Sequence, residues 1–206
     1  MTDLNHDPAY FLELQTQTGW GAMLRSFATW LDPKPDSLIL DVGTGPGLLP
    51  AIFTQSGCRA IGIDHAPEMF TAALHTALVL GSVFELPFPD QRFDLLTASN
   101  LLFLLPNPQT ALNEMARLLK PNGHIALLNP SEQMSVKAAT ALANERGLAG
   151  LARETLLNYA SRAERHFRWG EAELASLFSS ASLSFDGTKL KMGAGLVRFA
   201  LGKRIL

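Results

Sequence analysis

The chain has 206 residues, a formal net charge of −2, and 47% apolar residues. That length carries one domain with a sizeable core, or a domain plus a small cap, and the slightly acidic balance, without a long basic run, argues against a nucleic-acid backbone as main partner. The longest apolar run, 101–105, is too short to span a membrane. The polar start Met1–His6 lacks a signal-peptide pattern, and the lone Cys58 excludes an internal disulfide and a thiolate metal cage. A cytoplasmic protein without a bound metal is the simplest expectation.

Asp7-Pro8 predicts a helix start, with Asp7 as N-cap and Pro8 at the first helical position. Trp20, Met23, Leu24, Phe27, Trp30 and Leu31 then recur at helical spacing on one face, the pattern of core packing. Tyr10 and Trp20 stay open as ligand contacts. Asp32-Pro33-Lys34-Pro35-Asp36 breaks the helix, and residues 38–40 read as a buried strand.

The strand runs into Asp41-Val42-Gly43-Thr44-Gly45-Pro46-Gly47, and 48–56 reads as the helix that follows. Alternate glycines permit positive φ and let a ligand reach the backbone, and a helix start offers free N–H groups. The dinucleotide fingerprint G-x-G-x-x-G fails in both registers, at Leu48 and at Pro50, and no Gly-Lys-Ser/Thr follows for a phosphate loop. A carboxylate at the strand end suits an ammonium and would repel a pyrophosphate.

Residues 60–64 predict a second buried strand that ends in Asp64, seventeen residues after Gly47. An acid there suits the two hydroxyls of a ribose. Pro67 opens the next helix, and 77–80 reads as a third strand. Residues 92–100 form a fourth that ends at Asn100, a polar residue in apolar surroundings. Asn107-Pro108 caps a helix with Leu112, Met115, Leu118 and Leu119 inward. Lys120-Pro121-Asn122-Gly123 stops it before strand five at 124–129. Two helical segments follow, 132–145 and 148–165, with no strand between. Glu171 opens a further helix, and two late strands joined by Gly193-Ala194-Gly195 make an antiparallel pair. No repeat or low-complexity tract interrupts the chain.

The D-x-G-x-G-x-G turn resembles the ligand loop of the class I S-adenosylmethionine (SAM) dependent methyltransferases. Asp64, Met69, Leu86-Pro87-Phe88 and Lys120-Pro121-Asn122-Gly123 follow in the order of that family's type 11 group, which includes quinone- and sterol-type enzymes. The resemblance covers 37–129 and, in outline, the last forty residues. It implies an α/β fold with a doubly wound, mostly parallel seven-stranded sheet of order 3-2-1-4-5-7-6, strand 7 antiparallel. One domain, 1–206, would carry an N-terminal helical segment (1–36) over the SAM site and a helical cap (130–169) over the acceptor.

By the same resemblance the activity is SAM-dependent methyl transfer to a small-molecule acceptor by in-line displacement, with S-adenosyl-L-homocysteine (SAH) as product. The cofactor residues implied are Asp41, Gly43, Thr44, Gly45, Gly47, Asp64, His65, Met69, Ser82, Val83, Asn100 and Leu101. Ser82 stands where the family usually has an aspartate. Trp20, Phe103, Arg162, Arg165 and Arg168 are candidate acceptor contacts, the arginines for an anionic group or simply a solvated face. Tyr10, Tyr159 and His166 are candidate general bases by residue type alone. A SAM-binding protein without catalysis, an RNA methyltransferase and a nicotinamide-dependent oxidoreductase are the alternatives. The oligomeric state, the acceptor and the atom methylated are left open.

Overall fold

The computed structural model describes residues 7–74 and 77–205, so the expectation for Met1–His6 lies outside the described residues. Seven strands form one sheet in the order β3-β2-β1-β4-β5-β7-β6. They are β1 (Leu38–Val42), β2 (Arg59–Asp64), β3 (Leu78–Leu80), β4 (Phe93–Ser99), β5 (Leu119–Pro130), β6 (Leu183–Lys191) and β7 (Val197–Arg204). β1 to β5 pair in parallel, while β7 runs antiparallel to both β5 and β6. The expected order and hand of pairing are those found. The strand order reverses at β1 and β4, so both strands deliver their C-terminal ends to one crevice.

Seven α-helices are described: α1 (Pro8–Gln17), α2 (Gly19–Leu31), α3 (Leu48–Gln55), α4 (Pro108–Leu118), α5 (Val136–Glu145), α6 (Gly150–Arg165) and α7 (Glu171–Ser180). The Asp7 carboxylate accepts from the Ala9 and Tyr10 N–H groups, the cap that Asp7-Pro8 predicts. α2 buries Trp20, Leu24, Phe27 and Ala28, and Phe27 packs on Phe199 of β7 with ring centroids 4.9 Å apart. None of these helices is long and apolar enough to cross a membrane.

Two sequence motifs prove to be tethers. Leu86 N–H donates to Glu114 Oε1 at 2.9 Å, and Arg117 donates to the carbonyls of Leu86 and Phe88, so α4 holds the Leu86-Pro87-Phe88 segment from both sides. Lys120 Nζ reaches both oxygens of Asp94 at 2.8 and 2.9 Å, and Asp94 also accepts from Leu38 N–H, which ties the starts of β5, β4 and β1 together.

Three local expectations are corrected. The segment after Pro67 is a 3-10 helix, Pro67–Ala72, without an α-helical turn. The left-handed residue after α4 is Asn122 (φ 64°) and not Gly123. Gly123 is needed for space, since a Cβ there would lie 3.0 Å from the Lys120 carbonyl oxygen and 3.1 Å from that of Asp94. The first cap helix starts at Val136, where the Ser135 hydroxyl accepts from Ala138 N–H, four residues later than the sequence pattern suggests.

Gly202 shows how closely α7 sits on β7. A Cβ at this position would overlap the ring of Phe178, which is fully buried. Gly202→Ala is therefore expected to destabilise the fold by about 1–3 kcal/mol through overpacking. Thermal unfolding of the variant beside wild type checks this, and an unchanged melting temperature would mean that Phe178 has room to move.

Candidate active site

A cavity of about 440 Å³ opens at the C-terminal ends of β1, β2 and β4. Its floor is the glycine turn. Gly43 (φ 71°), Gly45 (φ 56°) and Gly47 (φ 89°) all take left-handed φ, where a side chain is strained. Their surroundings differ. A Cβ on Gly43 would come within 3.0 Å of Leu101, so protein packing demands that glycine. A Cβ on Gly45 would meet only Gln15 Nε2, at 3.8 Å, which leaves its backbone open to the cavity. Gly47 supplies the turn into α3.

Two buried acids flank the turn. Asp64 ends β2, and its carboxylate accepts from Gly45 N–H at 2.8 Å and from Ala66 N–H at 3.1 Å. These bonds fix its orientation and leave lone pairs for further donors, since a carboxylate offers about four acceptor sites. Asp41, at 2% exposure, accepts from Thr97 Oγ1 at 2.7 Å. Burial pushes its pKa up to about 7, the Thr97 and Thr44 hydroxyls lower it, and the nearby Asp64 charge raises it. Gln15 Oε1 is a buried acceptor that receives no hydrogen bond. Asp41, Thr44 and Gln15 all line the cavity, Gln15 from α1. Burying an acceptor without a donor is costly, so Gln15 Oε1 and the two acids together suit a ligand rich in N–H donors and positive charge.

The opposite wall comes from the helices. Trp20, Phe103 and Tyr159 pack edge-on, with ring centroids 4.6 Å (Trp20–Tyr159) and 5.7 Å (Phe103–Tyr159) apart. Leu104 and Leu105 extend this apolar surface. Asn100 takes left-handed φ (56°), its N–H donates to Leu128 O, and its Oδ1 accepts from the Tyr159 hydroxyl at 2.7 Å. Burial raises the Tyr159 pKa well above its ordinary value. The Tyr159 proton is committed to Asn100, a donor's geometry that opposes a general-base role. Tyr10 lies at the rim, its pKa raised by burial and countered by a hydrogen bond with Asn158.

The cavity brings together Asp41, Gly43, Thr44, Gly45, Asp64, His65, Met69, Asn100 and Leu101 from the expected cofactor set, and Tyr10, Trp20, Phe103, Tyr159 and Arg162 from the others. Gly47, Ser82, Val83, Arg165, His166 and Arg168 are not on its wall. Ser82 Oγ accepts from Phe84 N–H, which closes its own turn. Arg165 is exposed, with Nε donating to the Ser161 carbonyl, and Arg168 donates to the Met134 carbonyl. The expected arginine cluster is therefore dispersed, and Arg162 is the member that faces the cavity. Gln15, Thr155 and Asn158 line it without having been anticipated. Thr155, Asn158, Tyr159 and Arg162 recur at i, i+3, i+4 and i+7, a polar helical stripe that was the available signal.

A family profile described as a methyltransferase domain matches residues 40–127. A demethylmenaquinone methyltransferase from Corynebacterium kroppenstedtii is 35% identical over 99 residues, which is 47% of this chain and 43% of that protein. The match thus spans less than half of the relative's length. Among solved structures, a methyltransferase in complex with a methyltransferase activator, from Haloferax volcanii, superposes with a TM-score of 0.71 at 19% identity, covering 94% of this chain and 92% of that one. Magnesium protoporphyrin IX methyltransferase from Synechocystis with bound SAH gives 0.66 at 16% identity, covering 90% and 84%. At these identities the structures establish likeness of fold.

Proposed function

We propose that this chain, whose residues 40–127 match the methyltransferase-domain profile, is a class I SAM-dependent methyltransferase of the type 11 group that transfers the methyl group of SAM to a small-molecule acceptor. The observation that carries the reading is the pairing of Asp41 and Asp64 across an open Gly45 backbone, in a cavity where the buried Gln15 carbonyl also lacks a donor. The residues present fit the cofactor. Asp64, held by Gly45 and Ala66, would accept from the ribose hydroxyls. Asp41 and Thr44 would face the ammonium, and Met69, 4% exposed, would pack against the adenine.

SAM, when bound, supplies a methyl group already activated by a sulfonium charge. The chain's own task is then to orient two molecules and exclude water. The edge-packed Trp20, Phe103 and Tyr159 would hold an apolar acceptor body, and Arg162 would meet an anionic group on it. The Asn100 amide, fixed by Tyr159, would present its N–H donors where β4 ends. The single domain 1–206, with 1–36 as roof and 130–169 as cap, and a cytoplasmic location belong to the same reading.

Titration calorimetry with SAM and SAH, and NADH as control, tests it. Micromolar binding of both SAM species and none of NADH is expected. Binding of NADH alone, or of neither SAM species to folded protein, would overturn the assignment.

A further inference from the structure

The buried Gln15 carbonyl has no place in the roles above. Gln15 sits in the last turn of α1, far in sequence from the glycine turn, yet its Nε2 lies over Gly45, 3.8 Å from where a Cβ would stand. A glycine fixes this placement. A Cβ on Gly21 of α2 would collide with the Gln15 backbone oxygen, so Gly21 is what lets α1 end so close to α2. The side chain thus enters the cavity as part of the roof, and its Oε1 stands buried without a donor. Thr44, the neighbour of Gly45 in the chain, lines the same cavity from the sheet side, where its hydroxyl bears on Asp41. Rotation about the terminal amide torsion is soft, and it exchanges the positions of carbonyl and NH2 group. A cationic donor at Gly45 would therefore draw the carbonyl towards it.

We propose that Gln15 is a specificity-determining residue, through which α1 recognises the ammonium at the amino-acid end of the ligand. The inference rests on the SAM reading above. In that arrangement Asp41 and Thr44 hold the ammonium from the sheet side and Gln15 closes over it from the roof, so α1 distinguishes a nucleoside that carries an amino-acid chain from a plain one. A neutral residue suits the position, because two acids already supply the negative charge and a third would add to their repulsion.

The test is calorimetry on the full chain with three probes: SAH, its decarboxylated analogue (which keeps the ammonium) and 5′-methylthioadenosine (which has neither group). Gln15→Leu is expected to weaken SAH and the decarboxylated analogue by about tenfold, the scale of one hydrogen bond to a charged group, and to leave 5′-methylthioadenosine unchanged. Unchanged binding of the third probe also shows that the variant is folded with its nucleoside site intact. Equal weakening of all three probes would reduce Gln15 to roof packing and overturn the proposal. So would weakening of SAH alone, which would assign the contact to the carboxylate, or no change at all. If wild type binds none of the three, the SAM reading itself fails, an outcome separate from any effect of the substitution.

Discussion

Asp64→Ala is expected to weaken SAM and SAH binding ten- to a hundredfold, at about 1.4 kcal/mol per decade. Two separate losses combine. The ribose hydroxyls would lose a charged acceptor, and hydrogen bonds to charged groups contribute about 1.5–3 kcal/mol each. The glycine turn would also lose its anchor, because Asp64 Oδ2 accepts from Gly45 N–H and Oδ1 from Ala66 N–H. The second loss acts on the empty protein as well, so Asp64→Ala should lower the melting temperature without ligand. Asp64→Asn removes the charge but keeps one of the two anchoring oxygens and the shape of the side chain, so its melting temperature should fall between those of wild type and Asp64→Ala. Calorimetry and thermal unfolding of both variants read the two effects. Wild-type affinity in a folded Asp64→Ala protein would place the ribose elsewhere and undo the assignment of this wall.

The fold was legible because its punctuation is local. Asp7-Pro8, the glycine turn, Lys120-Pro121-Asn122-Gly123 and Gly193-Ala194-Gly195 mark where elements stop and start, and apolar runs between them have strand or helix period. Asp41 and Asp64 were legible as cavity residues for the same reason: both sit where a strand ends at the crevice, Asp64 as the last residue of β2 and Asp41 as the last but one of β1. Side chains contributed by helices were harder. Gln15 is one polar residue among several near the end of α1, and its approach to Gly45 depends on a contact at Gly21 that no periodicity reveals. Arg162, Arg165 and Arg168 look equivalent along the chain, but α6 ends at Arg165, and only Arg162 lies on the stripe that faces the cavity. Ser82 and Val83 were carried over by resemblance at a segment whose own turn, closed between Ser82 Oγ and Phe84 N–H, stands off the cavity wall.

Asp41 should make ligand binding and stability respond to pH with opposite signs. Its pKa in the folded chain is raised to about 7, chiefly by burial, from an ordinary value of 3.8. Between these values the folded state holds a proton that the unfolded state has lost. The stability this gives the ligand-free protein is fully present below about pH 4 and disappears as pH rises through about 7. Binding of an ammonium requires the ionised form. Affinity for SAH should therefore climb up to tenfold per pH unit below about pH 7 and flatten above it, with a proton released on binding in the sloping range. Asp41→Asn keeps an oxygen for the Thr97 hydroxyl, which donates to Oδ1 at 2.7 Å, while removing the titration. The variant should bind SAH about tenfold or more weakly at pH 7.5, lose the slope between pH 5.5 and 7.5, and yet be more stable than wild type without ligand at pH 7.5. Calorimetry in buffers of different ionisation enthalpy counts the released proton, and thermal unfolding across the same range reads stability. A wild-type affinity with no pH slope would mean that Asp41 is ionised throughout or does not face the ammonium. A variant less stable than wild type would show that the ionised carboxylate is better satisfied in the empty cavity than its burial implies.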